Sequence, residues 1–561
     1  MFKCLKHLFF AAGIAVISLV NSFAGSQIIQ NDVFWKDTDG NPIYAQRGGT
    51  LKLGDTWYMY GAIYGSATSY YNQWTGSKAT SPGGSTACYT SKDLVNWKFE
   101  GSVFKYSGWF AGPNVAYNKN TKKYVLIAQA GNDVVFATAD KPTGPFVQDH
   151  VETPSPMVNG GTGDATTFID DDGTPYISCS NKSGRSHVYV IPIRASDYLA
   201  CEKTIEIYSG GGREGNCMFN YKGRYFSASS DLHGWNTSHT YYISADKVLG
   251  PYGTEKIMTN TELDYSHVTQ AGFFITVNGT VDTTVIYCGD RWSDNAGNGV
   301  GYNQWCPLTI EGNTVIFNSL SQWSIDAITG TWKVGPGNNY ILNPSFEADR
   351  IGVGSVVGWE GKDPNTSGSH GAGKYCLSLG SSAKATQNIP QTPTIAAIPG
   401  GTYEMKAWAR GSCQISISGF GGADMSKSSS GSDWTLISIQ NIKISSGKAT
   451  VSASGSGGSC TMDEFSLINM DAVGVAENPG RKNQWFTFNP ATYRIQPNGW
   501  SGETIRLEMY TVGGKKVLKQ SVTGSDADRF TLPVGRFESG NYLLKVSTDK
   551  NSSVQKITIG R

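Results

Sequence analysis

Two carboxylates in this 561-residue chain, Asp164 and Glu214, precede a predicted glycine turn by the same number of residues. Asp164 stands nine residues before Gly173, and Glu214 stands nine residues before Gly223. Two carboxylates that face one cavity suit the cleavage of a glycosidic bond, because one can stay protonated for the leaving oxygen while its charged neighbour raises its pKa. The pair therefore needs a fold that brings both residues to one cavity.

Both turns belong to a hairpin that recurs through the first 335 residues. It has an apolar strand, a tight Gly or Asn turn and a second strand that carries Tyr. The five copies begin 64, 53, 50 and 55 residues apart, at Leu51, Val115, Phe168, Met218 and Phe273. A hairpin with this period indicates four-stranded blades packed radially, and helical periodicity is almost absent. The sequence predicts an all-β chain with a five-bladed β-propeller; a long sandwich with coincidental hairpins is the alternative.

The propeller would place the two carboxylates together. The innermost strand of each blade lines the central channel, so side chains just before each hairpin converge on the axis. Equal offsets in adjacent blades predict Asp164 and Glu214 at one channel mouth.

Residues 164–173 and 213–225 resemble the third and fourth blades of glycoside hydrolase family 43. Further matches extend the resemblance over about residues 27–335, at 89–97, 142–146, 234–236 and 288–292. Residues 37–41 and 48–52 are similar to the branch that contains exo-β-1,3-galactanases. The resemblance implies that Glu214 is the general acid, that Asp164 modulates its pKa and position, and that the reaction inverts the anomeric carbon.

The first predicted blade departs from the family pattern. The family takes its general base from an Asp on the first inner strand, whereas residues 45–49 contain no carboxylate. The galactanase-like branch shares this lack, and the resemblance implies a fifth-blade Gln that holds the water. Family spacing selects His267 for this role and the blade offset selects Gln270, so both stay candidates. His267 can also be read as a structural or ion-ligating channel residue.

A second departure lies in blade two, where residues 111–113 lack the Glu of the branch's Glu-Arg-Pro motif, which puts β-1,3-galactan as substrate in question. Candidates for sugar contacts are flat rings and hydrogen-bonding side chains, namely Gln46, Trp74, Trp235, Arg291 and Trp292. Each of the three tryptophans is as well explained by packing between blades. No cofactor is required, and a structural Ca²⁺ ion in the propeller channel is left open.

Three further segments flank the predicted propeller at 27–335. Residues 1–24 have the charged start, short apolar core and small-residue exit of a signal peptide. Residues 340–470 alternate as a β-sandwich that resembles galactose-binding-like carbohydrate-binding modules, with Trp359, Trp408 and Trp434 expected at its surface. Residues 478–561 resemble the C-terminal sorting domains of type IX secretion and predict a small β-sandwich that engages the secretion machinery.

The charge and apolar content of the chain argue against two kinds of partner, nucleic acid and a spanned membrane. The net charge is +1, only 16% of residues are charged and no basic run stands out, which argues against nucleic acid. No segment after the signal peptide is apolar over the length of a membrane span. Nine cysteines follow residue 24 without metal-type spacing, so no metal site is predicted, at least one cysteine is unpaired, and the connectivity stays open.

These observations predict an enzyme secreted to the cell surface or the medium. The expected activity is exo-acting removal of galactosyl or arabinofuranosyl residues from plant-type polysaccharide. A non-catalytic glycan-binding propeller is the alternative, favoured by the missing first-blade carboxylate and disfavoured by Glu214 beside Asp164.

Overall fold

The computed structural model describes most of residues 28–473 and parts of 486–559. In the first range the residues left undescribed are 65–81, 235, 293–302, 349–355, 362–364, 368–369, 371–374, 391–394 and 396. The expected signal peptide at 1–24 and the candidate residues Trp74 and Trp235 lie outside the described part. The chain divides into two compact units, Met1–Val473 and Gly474–Arg561.

Five four-stranded antiparallel sheets follow one another in chain order and form the blades of a propeller. Blade one contains β2 (Gln46–Leu53), β3 (Thr56–Tyr64), β4 (Pro82–Ser91) and β5 (Lys98–Lys105). Blade two contains β6 (Phe110–Asn118), β7 (Lys123–Ala130), β8 (Asp133–Ala139) and β9 (Val147–Glu152). Blade three contains β10 (Thr162–Ile169), β11 (Pro175–Asn181), β12 (His187–Pro192) and β13 (Ile205–Ser209).

Blade four contains β14 (Glu214–Tyr221), β15 (Arg224–Ser230), β16 (Thr240–Ala245) and β17 (Lys256–Ile257). Blade five contains β18 (Gln270–Asn278), β19 (Thr283–Asp290), β20 (Asn303–Glu311) and β21 (Thr314–Phe317). The five inner strands β2, β6, β10, β14 and β18 contact one another in order, and β18 returns to β2, which closes the ring. The five-bladed propeller predicted from the hairpin repeat is confirmed.

A small sheet follows the last blade. β1 (Ile28–Gln30) pairs with β22 (Gln322–Ile325), which pairs with β23 (Trp332–Val334). Large aromatic side chains such as Trp97, Trp305 and Trp323 are fully buried between these elements and the first and fifth blades. The N-terminal strand is thereby fixed to the end of the propeller.

The second domain of this unit is built around two long strands, β27 (Gly401–Ser418) and β30 (Ala449–Asn469). They pair with each other. β27 also pairs with β28 (Met425–Ser429) and β29 (Thr435–Ile444), and β30 also pairs with β25 (Tyr375–Leu379) and β26 (Lys384–Ile389). β24 (Asn365–Ser367) adds to the edge by pairing with β25. A disulfide bond joins Cys413 of β27 to Cys460 of β30. One helical turn, α1 (Met470–Val473), ends the unit.

The expectation that three tryptophans lie on the sandwich surface is wrong for Trp359. Trp359 is 5% exposed and packs against Phe346 and Phe465 in the core of the sandwich. Trp408 and Trp434 are half-buried, and His370 stacks on Trp408 with ring centroids 3.9 Å apart.

The C-terminal unit contains two described sheets. One pairs β31 (Phe486–Asn489) with β32 (Arg494–Pro497). The other has the order β34-β33-β35-β36, formed by β33 (Ile505–Thr511), β34 (Lys516–Val522), β35 (Gly540–Ser547) and β36 (Ser552–Ile559). Leu507, Met509, Leu544 and Val546 lie in its own apolar core.

Candidate active site

Every inner strand of the propeller is irregular near its start. The pairing register shifts between Gln46 and Gly49, Ala111 and Asn114, Gly163 and Thr166, Glu214 and Cys217, and Ala271 and Phe273. In the first four blades one bulged residue has left-handed backbone, with φ of 43° at Arg47, 64° at Gly112, 47° at Asp164 and 60° at Gly215. A bulge bends a strand and redirects a side chain. At Arg47 and Asp164, which carry a Cβ, this backbone costs about 1–2 kcal/mol each.

The bulges show that Asp164 and Glu214 do not occupy equivalent positions. Asp164 is the left-handed residue of its bulge, whereas Glu214 comes one residue before the left-handed Gly215. Asp164 lies five residues before the last paired residue of its strand, Ile169, and Glu214 lies seven before the corresponding Tyr221. The turn glycine then follows four residues after Ile169 but only two after Tyr221, which makes the two offsets equal. The offset argument is therefore wrong in detail, although both side chains reach one cavity.

This cavity has a volume of about 400 Å³ and opens at one end of the propeller channel. Four charged, three amide and two aromatic side chains line it, namely Arg47, Asp164, Arg185, Glu214, Gln129, Asn132, Gln270, Trp109 and Trp292. Asp164 and Glu214 are the two carboxylates among its described lining residues.

Asp164 is held between two guanidinium groups. Arg47 Nη1 donates to Asp164 Oδ1 at 2.6 Å, and Arg185 Nη1 donates to Asp164 Oδ2. Burial alone would raise the pKa of Asp164, but the charges of Arg47 and Arg185 outweigh it and lower the pKa. Asp164 is thus a fixed negative charge at neutral pH.

Arg47 is itself fixed by blade five. Its backbone N–H lies 3.2 and 3.1 Å from the two carboxylate oxygens of Asp290, which is fully buried. Burial raises the pKa of Asp290 to about 8. This contact joins the first and last blades directly beneath the cavity.

Glu214 has the opposite electrostatic character. Burial and the negative charge of Asp164 raise its pKa to about 7, against the lowering effects of Arg185 and Arg47. Oε1 accepts hydrogen bonds from the Gly234 N–H at 3.0 Å and from Gln270 Nε2 at 3.1 Å. Because Oε1 is engaged as an acceptor, the proton of the neutral acid belongs on Oε2, which lies 4.0 Å from Arg185 Nε.

The structure separates the two candidates for the water-holding residue. Gln270 lies in the cavity: its Nε2 donates to Glu214 and to Ser230 Oγ at 2.8 Å, and its Oε1 accepts from Trp292 Nε1 at 2.8 Å. His267 does not line this cavity. Its ring lies against Asp32 and Ser319, because the backbone of residues 265–268 turns it away.

The remaining candidates are divided in the same way. Trp292 lines the cavity, whereas Gln46 and Arg291 do not. Gln46 Nε2 lies 3.3 Å from the Arg291 carbonyl oxygen, and Arg291 Nη1 lies 3.2 Å from Asp32 Oδ1. Both side chains are buried.

Sequence reasoning missed Arg47, Arg185 and Trp109. Trp109 is 36% exposed at the cavity rim, directly before the inner strand of blade two. Its place directly before an inner strand that lines the channel was the available signal. The described residues contain no group of three or more His, Cys, Asp or Glu side chains placed to hold a metal ion.

Each of the two units contains a segment that matches a known protein family. Residues 50–305 match the model of glycosyl hydrolases family 43, and residues 489–560 match a secretion system C-terminal sorting domain. No curated protein matches the chain. In the described part, no helix is long and apolar enough to cross a membrane.

Solved structures of similar fold include exo-β-1,3-galactanases. A Glu-to-Gln variant of the Phanerochaete chrysosporium enzyme, with β-1,3-galactotriose, is 20% identical, covers 78% of this chain and 99% of its own, and has a TM-score of 0.50. The Clostridium thermocellum enzyme is 18% identical, covers 79% and 100%, and has a TM-score of 0.48.

The sorting domain marks the protein for type IX secretion to the cell surface or the extracellular space. Residues 50–305 form a domain of glycosyl hydrolases family 43, and the protein is a secreted glycoside hydrolase.

Proposed function

We propose that this hydrolase is exo-acting and removes galactosyl or arabinofuranosyl residues from the non-reducing ends of plant-type polysaccharide. The observation that carries the proposal is the split between two buried carboxylates, with Glu214 kept neutral and Asp164 kept charged in one cavity. The solved relatives of similar fold are named as exo-β-1,3-galactanases, so galactosides are the first substrates to test.

Glu214 is the proposed general acid. With a pKa of about 7 it is largely protonated in mildly acidic solution, and it can transfer the proton from Oε2 to the leaving oxygen. Asp164 contributes by its charge, which raises the pKa of Glu214, and by the ion pairs that fix it beside the acid. Its two arginine partners make it a poor nucleophile, since they stabilise its charge.

Gln270 is the proposed holder of the attacking water. Its Oε1 already accepts from Trp292 and has a second lone pair for a water proton. With Asp164 engaged and Glu214 protonated, the described lining offers no free carboxylate for a covalent intermediate. Water then displaces the leaving group in one step, with inversion at the anomeric carbon: the bond to water forms as the glycosidic C–O bond breaks, and Glu214 gives its proton to the leaving oxygen. The proton lost by the water passes to solvent, from which Glu214 is reprotonated.

The proposal is tested with the purified enzyme on aryl galactopyranoside, galactofuranoside, arabinofuranoside and xyloside substrates and on matching oligosaccharides. We expect release of single galactose or arabinose units, with the product anomer opposite to that of the substrate when it is followed by NMR. Release of xylose alone, of internal fragments, or of the retained anomer would contradict the proposal.

A further inference from the structure

The segment that leads into Gln270 has an unusual backbone. Tyr265, Ser266, His267 and Val268 have φ of 50°, 56°, 58° and 58°, one left-handed helical turn without glycine. L-residues rarely adopt this conformation, because the Cβ approaches the carbonyl oxygen of the chain. Four such residues in succession persist only where the surroundings impose the conformation.

The propeller holds this turn through His267. The Asp264 side chain accepts the His267 N–H at 2.9 Å, and the ring nitrogens of His267 lie 2.8 Å from Ser319 Oγ and 3.2 Å from Asp32 Oδ2. Ser319 in turn donates to Asp264, and Arg291 pairs with Asp32. The imidazole therefore connects the turn to two separate segments of the propeller, at Asp32 and at Ser319.

The sandwich covers the other side of the turn. Tyr265 and Val268 are buried in one apolar cluster with Ala348 and Val357 of the second domain. At Gly358 the backbones meet closely, since a Cβ there would lie 2.4 Å from the Leu263 carbonyl oxygen. The second domain thus packs on the turn and on Leu263, which lies two residues before it.

We propose that the β-sandwich is a working part of the catalytic unit, because it covers the left-handed turn that His267 clamps and together they place Gln270 against Glu214. The inference rests on the role given to Gln270 under the proposed function. His267 is then a positioning residue, and Ala348 and Val357 position Gln270 through Tyr265 and Val268. The sandwich would support the reaction even when it binds no glycan.

The charge of His267 makes the clamp sensitive to alkali. Burial would lower its pKa, but Asp32 and Asp264 outweigh burial and raise the pKa to about 9. From the sandwich, Glu347, His370, Asp463 and Glu464 line the same cavity of about 370 Å³ as His267. Because the folded pKa exceeds the ordinary value of 6.5, the stabilisation is complete below pH 6.5 and is lost as pH rises through 9.

The test compares His267→Ala and Val357→Ala with matched changes away from the turn. His187→Ala removes a half-exposed histidine bonded to Glu206, and Val451→Ala removes the same methyl groups from the sandwich core. We expect the first two to lower kcat by about 10- to 100-fold, with KM changed by less than about threefold, since a small misplacement costs this much. The two controls should keep kcat per folded molecule within about twofold.

Combination with Gln270→Ala decides whether the effect passes through Gln270. Once Gln270 is gone, His267→Ala and Val357→Ala should reduce kcat by less than about threefold more. If His267→Ala and Val357→Ala lower kcat as strongly without Gln270 as with it, the inference is overturned. A crystal structure of His267→Ala gives a readout independent of activity: Gln270 Nε2 should leave its position 3.1 Å from Glu214 Oε1. An unmoved Gln270 would also overturn it, whereas a wild-type enzyme that cleaves no glycoside would refute the proposed function alone.

Discussion

The propeller channel opens at two ends, and the same inner strands bring carboxylates to both. β10 carries Asp164 near its start and leads into Asp170 and Asp171 at its far end. The cavity at the Asp170 end has about 340 Å³, against about 400 Å³ at the Glu214 end. Cavity size and acidic residues therefore do not distinguish the two ends.

The partners of the carboxylates do distinguish them. Asp170 accepts from neutral groups, Asn220 Nδ2 at 3.1 Å and the Tyr225 hydroxyl at 2.8 Å. Asp171 lies at the exposed rim of this cavity. Partial desolvation and the charge of Asp170 raise its pKa. At the other end two arginines fix one carboxylate as an anion beside a buried acid. The two ends thus differ in whether a buried carboxylic acid lies beside a carboxylate that arginines hold as an anion.

The largest expected effect is at Glu214. Glu214→Gln removes the proton donor and should lower kcat on a natural oligosaccharide by about 10²–10⁴-fold. Glu206→Gln, on the outer strand of blade three, is the matched control and should keep full activity. Turnover by both purified variants is compared by sugar release, and an equal loss in both would remove the distinction between Glu214 and an ordinary glutamate.

The second effect is on stability. The ordinary pKa of Glu214 is 4.5 and its folded pKa is about 7, so the folded state binds this proton more tightly. The free energy of unfolding should fall as pH rises from 4.5 to 7, by up to about 3 kcal/mol in total. Because the glutamine of Glu214→Gln does not titrate, this variant should have a higher melting temperature than the wild type at pH 8 but not at pH 4. Calorimetry at both pH values checks this, and an equal difference at the two values would contradict it.

The third effect separates Asp164 from its arginine partners. Asp164→Asn removes the charge that raises the pKa of Glu214 and leaves two arginines that lower it. The alkaline limb of kcat/KM should move down from about 7 by roughly one pH unit. Arg185→Met should move it upward. Shifts of the alkaline limb in the same direction for Asp164→Asn and Arg185→Met would show that packing, and not charge, controls the pKa of Glu214.

The smallest effect is at the opposite end of the channel. Asp171→Asn should change kcat by less than about twofold and leave the pH profile in place, because Asp171 has no contact with the Glu214 cavity. Steady-state kinetics from about pH 5 to about pH 9, which spans the titration of Glu214, test this expectation. A large loss would mean that the two ends of the channel act together.

The sequence predicts the blades well, because strand alternation and glycine turns are local signals. It also predicts that Asp164 and Glu214 reach one cavity, although their equal offsets arise because Glu214 lies two residues farther from the end of its paired strand and the blade-three turn is longer. Arg47 and Arg185 could not be assigned as partners of Asp164, since they lie 117 and 21 residues from it in sequence. The different positions of the His267 and Gln270 side chains could not be predicted, because a left-handed turn that no residue propensity indicates precedes Gln270.

The central claim, that Glu214 protonates the leaving oxygen, is tested most directly by the dependence of Glu214→Gln on the leaving group. The variant and the wild type are compared on a natural oligosaccharide and on an activated aryl glycoside of the same sugar. Because the aryl group departs without protonation, we predict a loss of about 10²–10⁴-fold on the oligosaccharide and less than about tenfold on the aryl glycoside. Equal losses on both substrates, in a folded variant, would contradict the assignment of Glu214 as the general acid.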